Sequence, residues 1–348
     1  SVPAQVLRGT DRRAMTKVRA HFKTASVHTT LLITIVITSL PFYWAAQTSI
    51  KFTRDTIRSE PTLWGFDITA DPYRKFWFVD KDQNMWQIGL FFLVLIAIIS
   101  FLLVVRRQFE TTWPFTLAVT GSLWASLIVF PLLFEMNREF DFFVNSITVT
   151  IMTVVISISI GLLAGYGLAR YSGISGAIIL ILALGFRALP RTAFVLPYFI
   201  VAKELGILDS RLVIVLALVA INQPFTIWML RSFFMEIPRE IEEAAMVDGA
   251  TRLQAFRMVV IPMMWPGIIA TSLFTMLLAY NEFLFVRVLA VTEWTLPVAI
   301  SALAGGDSAV SVTEAAAASV SITLPIVIVV ITFQKHLVKG LGAGAIKG

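Results

Sequence analysis

Runs free of Asp, Glu, Lys and Arg dominate this chain: 24–50, 83–105, 111–134, 142–169, 171–186, 212–230, 258–281 and 315–334. A helix needs about 20 apolar residues to cross a hydrocarbon layer of about 30 Å, and most of these runs reach that length. None alternates like a barrel strand. Because lipid offers no partner to a bare peptide group, helices are the economical solution. Composition agrees: 57% of residues are hydrophobic and 14% charged, whereas a soluble domain carries about a quarter charged residues. The expectation is an all-α polytopic membrane protein of about eight transmembrane helices. They fall near 27–46, 86–105, 113–134, 143–169, 174–201, 212–234, 263–285 and 313–334. The fifth reads as one kinked span, although Arg187 and Arg191 lie in it and Pro190 and Pro197 interrupt it.

The chain has no cysteine, which excludes disulfides, thiolate metal sites and cysteine nucleophiles. His21, His28 and His336 lack metal-ligand spacing, so no metal site is expected. The basic start, Arg8 to Lys23, leads into an apolar run too long for a signal peptide. A net charge of +6 does not imply nucleic acid, because the basic residues flank the apolar runs as the positive-inside rule requires. With the N-terminus in the cytoplasm, Arg106, Arg107, Arg170, Arg231, Arg239, Arg252, Arg257, Lys335 and Lys339 lie inside. Most acids, including Asp67, Asp71, Asp80, Glu135, Glu139 and Asp141, then lie outside. Both termini are expected in the cytoplasm.

The division that follows is a cytoplasmic N-terminus (1–26), a first span with an outer cap and an added hairpin (27–139), a core (140–334) and a cytoplasmic tail (335–348). Aromatic residues Trp64 and Trp77 make 47–85 an ordered cap. Residues 86–134 form the additional transmembrane hairpin, and 286–312, with Gly305 and Gly306, reads as a flexible outer loop.

The stretch 236–262 breaks the apolar pattern. Pro238 suits a first helical turn, and Glu240, Glu242 and Glu243 favour the positive end of the helix dipole. Ile237, Ile241, Ala244 and Ala245 share one face at helical spacing, with the charges opposite. Gly249 is a stop, and Thr251 with Gln254 is a capping-box pattern for a second helix. Leu253, Phe256 and Val260 form its apolar stripe, and Pro262 closes it. An amphipathic loop on the lipid surface is one reading. The small residues and the acidic face fit a protein socket better than anionic headgroups.

These residues, "EEAAMVDGATRLQAFRMVVIP" (242–262), resemble the EAA signature of ABC-importer permease subunits. Glu243, Ala244, Ala245, Gly249, Val259, Ile261 and Pro262 fill its register. Asp248, Gly249 and Ala250 are similar to the carbohydrate branch, the group of the maltose-transporter permeases. "IPREIEE", "AYNEFLF", "LGILDS" and the tail "GLGAGAIKG" point the same way. The resemblance covers roughly 140 to 348; members commonly have six spans, so the hairpin 86–134 departs from it.

The resemblance implies a type I importer core in a bacterial or archaeal cytoplasmic (inner) membrane. Its partners would be a second homologous permease, a dimer of nucleotide-binding ATPase subunits and a solute-binding protein. Glu242, Glu243, Ala244, Ala245, Asp248, Gly249, Ala250, Phe256 and Pro262 would couple the chain to the ATPase. No nucleotide motif is present, since no glycine directly precedes Lys347. ATP and Mg are therefore expected in the partners, with no catalytic residue and no bound cofactor here. Arg187 and Arg191, costly in an apolar run, either line a solute path or pair with a neighbouring helix. Asn281 and Glu282 either gate the outer mouth or snorkel. "GLLAG" (161–165) is a small-xxx-small packing motif. The competing class is an ion-coupled secondary transporter, which needs acidic partners within the spans and repeated halves; neither is evident.

Overall fold

The structure is a computed structural model. It describes residues 4–56, 62–79, 129–171, 173–187, 189–305 and 309–345, with isolated positions between 80 and 128. The expected hairpin 86–134 therefore lies almost entirely outside the described residues.

The longest elements are α1 (Ala4–Thr48), α4 (Arg138–Arg170), α7 (Arg211–Glu236) and α13 (Ala309–Ala345). The short helices α2 (Thr53–Thr56) and α3 (Asp71–Trp77) follow α1. Between α4 and α7 lie α5 (Ile174–Arg187) and α6 (Arg191–Glu204). After α7 come α8 (Arg239–Val247), α9 (Arg252–Ala255), α10 (Trp265–Tyr280), α11 (Leu284–Leu289) and α12 (Leu296–Ala304). Among the described residues, four helices are long and apolar enough to cross a membrane. They are Ser26–Thr48, Arg138–Arg170, Arg211–Glu236 and Val312–Phe333, and a fifth is reached if Arg252–Met263 and Trp265–Tyr280, bent by 72°, count as one.

The run 174–201 is interrupted at Pro190, one of the two prolines that break its pattern. It is two helices of 14 residues each, separated at 188–190 because Pro190 is extended (φ −56°, ψ 129°) and serves as the N-cap of α6. One expectation is corrected: the described part of 286–312 is not a flexible loop, because α11, α12 and the start of α13 occupy most of it, and Val286, Leu289, Leu296, Val298 and Ala299 are buried.

The bundle is organised around α4 and α7. Asn137 accepts from the Arg138 amide, and Glu139 and Asp141 sit in the first turn of α4, where the dipole favours them. Ser210 caps α7 by accepting from Val213 at 3.3 Å. Lipid gives helices no hydrophobic reason to associate, so close contact must. Gly161 and Gly165 permit it: a Cβ on Gly161 would stand 2.9 Å from Leu230 Cδ1, and one on Gly165 would stand 3.1 Å from the Arg231 amide nitrogen. Thr153, Ser157, Thr226 and Thr275 are fully buried among α4, α7 and α10, with the Thr226 and Thr275 hydroxyls 3.2 Å apart.

One end of the bundle carries the cap. Trp77 packs edge-on against Phe76 and Phe143 and donates to the Ser321 hydroxyl at 3.1 Å. Lys51 is buried, donates to the Thr62 carbonyl and lies 4.6 Å from the Phe66 ring centroid. Burial lowers its pKa, against the upward pull of Asp55.

The turns 205–210 and 290–295 are locked together at the same end. Asp209, at φ +58°, accepts from the amides of Val291, Thr292 and Glu293 at 2.8, 2.8 and 3.1 Å and from the Thr292 hydroxyl at 2.7 Å. Burial by itself would raise its pKa, but these hydrogen bonds outweigh it and hold the carboxyl at about 2. Asn145 donates to Glu293 and to the Trp294 carbonyl, and Arg211 pairs with Glu293 at 2.8 Å.

Candidate functional site

At the opposite end, the last turns of α4 and α7 meet the segment 237–264. The helix α8 opens at Arg239, directly after Pro238. It ends on Gly249, whose φ of +94° suits glycine. The Ala250 amide returns to the Ala245 carbonyl and the Gly249 amide to that of Met246, which is a Schellman closure. Thr251 then opens α9 through a complete capping box with Gln254.

The chain does not end its second helix at Pro262, as expected. A π-helical turn over Phe256–Val260 carries it on through Ile261–Met263, and the bend comes at Met264. The physical reason is the proline ring. In a regular helix it would clash with the Met258 carbonyl, and the widened turn, in which the Ile261 amide reaches the Phe256 carbonyl, relieves that.

The two faces of this element are unlike. Inside, Phe256 and Val260 are buried with Leu230, Phe234, Met264 and Ile268. Glu242 is also inside, only 5% exposed, which corrects its assignment to a polar outer face. Its Oε2 accepts from Arg170 Nε at 2.9 Å and its Oε1 accepts from the Tyr166 hydroxyl. Outside lie Glu243, Ala244, Asp248, Gly249 and Gln254. Three large apolar residues join them: Val247 is 87% exposed, Leu253 71% and Met258 71%. The expected stripe of Leu253, Phe256 and Val260 is therefore split, with Leu253 outside. Ala245 and Ala250 are half-buried, and among the described residues other than its chain neighbours none comes within 4 Å of a Cβ built on Gly249.

The four polar residues assigned to a solute path do not converge on this element. Arg191 pairs with Glu282 at 2.5 Å. That supplies the acidic partner missing from the apolar runs. Glu282 is buried and also accepts from the amides of Leu284 and Phe285, so it caps α11. Arg187 lies 4.4 Å from the Phe225 ring centroid, and Asn281 bonds its own helix at the Leu277 carbonyl. Tyr166 and Arg170 are the residues that sequence reasoning missed. The only signal was a basic residue in the last turn of a long apolar run.

Residues 157–342 match the family described as the inner membrane component of binding-protein-dependent transport systems. The chain belongs to that family. A probable ABC transporter permease of Sinorhizobium fredii is 34% identical over 224 residues, covering 64% of this chain and 80% of the relative. The trehalose transport system permease SugB of Mycobacterium tuberculosis is 32% identical over 208 residues, 59% of this chain and 76% of the relative. The trehalose/maltose transport system permease MalG of Thermococcus litoralis is 32% identical over 206 residues, 59% and 74%. In fold, the permease is similar to a chain of a bacterial ABC transporter involved in the import of the acidic polysaccharide alginate. The TM-score is 0.60 and the identity 19%, over 93% of this chain and 97% of that one. The likeness in fold thus extends beyond the region that the family description matches.

Proposed function

We propose that this permease is the membrane-spanning subunit of an ATP-driven importer of a sugar, polyol or related polar solute. Its α8–α9 element is the docking point for a separate ATPase subunit. The observation that carries this reading is the two-faced element itself: gripped from inside by α4 and α7, and presenting small and apolar residues outward. A surface of that kind fits a protein socket. The names of the relatives, trehalose and maltose permeases among them, support the solute class.

In this mechanism ATP closes a dimer of nucleotide-binding subunits in the cytoplasm, which hold the nucleotide and Mg. Glu243, Ala244, Ala245, Asp248, Gly249 and Ala250 lie at the contact, while Phe256 and Pro262 shape the second arm. The bundle rocks between inward-open and outward-open. A second homologous permease supplies the other half of the pathway, and a solute-binding protein delivers its cargo to the cap end. Both termini lie in the cytoplasm. Of the polar residues, Arg187 and Asn281 are retained for the solute path; Arg191 and Glu282 hold α11 to α6.

The test is uptake of labelled trehalose and maltose by proteoliposomes containing the full complex and the binding protein. Uptake is expected only with ATP on the ATPase side. Uptake driven by an imposed ion gradient, with no ATPase subunit present, would overturn the reading.

A further inference from the structure

We infer that Tyr166, Arg170 and Glu242 form an internal joint that fixes α8 to the ends of α4 and α7, so that the three move as one body. Glu242 is then a positioning residue and not a docking contact. This rests on the proposed docking of α8–α9, and it concerns what lies behind that surface.

Arg170 is the hub. Its Nε donates to Glu242, its Nη1 reaches the Phe234 and Ile237 carbonyls at 3.3 Å each, and its own carbonyl accepts from Arg239 Nη2 at 3.0 Å. One guanidinium thereby ties the last turn of α4 to the last turn of α7 and to the first turn of α8. Lysine has no such planar fork. Tyr166 extends the grip to the second arm: its hydroxyl donates to Glu242, and its ring lies 4.5 Å from that of Phe256 in the π turn and 5.6 Å from that of Phe234. Arg231 Nε also donates to the Leu168 carbonyl at 3.3 Å. Both arms of the element therefore bear on a single turn of α4.

Rigidity upstream completes the argument. Cβ atoms on Gly161 and Gly165 would collide with α7, so α4 and α7 are in direct contact along the turns leading to Arg170. The Arg170 and Glu242 side chains are 15% and 7% exposed, and an ion pair removed from water in this way is held by its geometry and not screened like a surface pair. A displacement imposed on α8 is transmitted to α4 and α7 without slack, because interfaces of this kind do not deform continuously.

Because the chain has no native cysteine, paired labels can be placed cleanly. Nitroxides at Leu163→Cys on α4 and Glu240→Cys on α8 report their separation in the complex with the ATPase subunits, nucleotide-free and trapped with ATP and vanadate. The expected result is one narrow distance common to both states. Glu242→Gln, which keeps one acceptor oxygen, should broaden it, and Glu242→Ala should lose it; Arg170→Lys should resemble Glu242→Gln. Tyr166→Phe keeps the ring packing and should broaden it least. A native distance that differs between the two states, or a narrow one that survives Glu242→Ala, overturns the joint. Failure of the docking reading is separate: it appears as native ATPase subunits that do not co-purify with the permease, and the intramolecular distance is still read without them.

Discussion

Gly249→Leu should reach the membrane and fold, yet lose solute-stimulated ATP hydrolysis and transport by about tenfold or more, within the range of known couplings between distinct sites. Within the chain the cost is conformational. A φ of +94° is strained for leucine, at about 1–2 kcal/mol by the usual left-handed penalty. Among the described residues, its chain neighbours aside, none stands within 4 Å of the new Cβ, so the bulk is directed away from this packing. In the proposed complex that space belongs to the ATPase. Gly249→Asn separates the two effects, because asparagine tolerates left-handed backbone and is smaller; it should retain more coupling. Side-by-side assays of membrane yield and stimulated hydrolysis decide. Wild-type stimulation by the leucine variant sinks the docking proposal.

Gly165→Leu should act on stability instead. Its Cβ would meet the Arg231 nitrogen at 3.1 Å, Leu230 Cβ at 3.3 Å and the Ile227 carbonyl oxygen at 3.4 Å. Two of these are backbone atoms that cannot rotate away. Overpacking of this kind costs about 1–3 kcal/mol, and the further carbons of leucine push the cost upward. Gly161 offers a contrast, since its near neighbours at 2.9 Å are the ends of the Leu230 and Thr226 side chains, which can shift. Gly167 is the control, with nothing within 4 Å. Thermal unfolding in detergent should rank the leucine variants Gly165 lowest, then Gly161, with Gly167 near the wild type. Equal midpoints at 165 and 167 would mean that α4 and α7 are not in contact there.

How much of this was legible in the sequence depended on the range of each interaction. Local signals read well. The small-xxx-small spacing at 161–165 marked a close helix contact, and the Thr251–Gln254 capping box and the Gly249 stop formed as their residues dictate. Signals needing a distant partner did not. Glu242 looked like one of three surface acids, because Arg170 and Tyr166 lie 72 and 76 positions away. Arg191 had no visible acid, because Glu282 lies 91 positions on. Hydrophobicity also misled at 286–312, where Gly305 and Gly306 suggested freedom. The burial of Leu296 and Val298 comes from packing that periodicity over so short a helix does not express. Pro190, by contrast, is a local signal, and the chain breaks its helix there.

The most direct test of the docking claim uses a single thiol in this cysteine-free chain. Val247→Cys places it at the tip of α8, and Trp64→Cys places one on the cap, where Trp64 is 75% exposed. Each variant is assembled with its ATPase subunits in liposomes and treated with a short thiol-to-amine cross-linker. The account predicts an adduct between the permease and the ATPase from Val247→Cys and none from Trp64→Cys. An ATPase adduct from Trp64→Cys, with none from Val247→Cys, would contradict it.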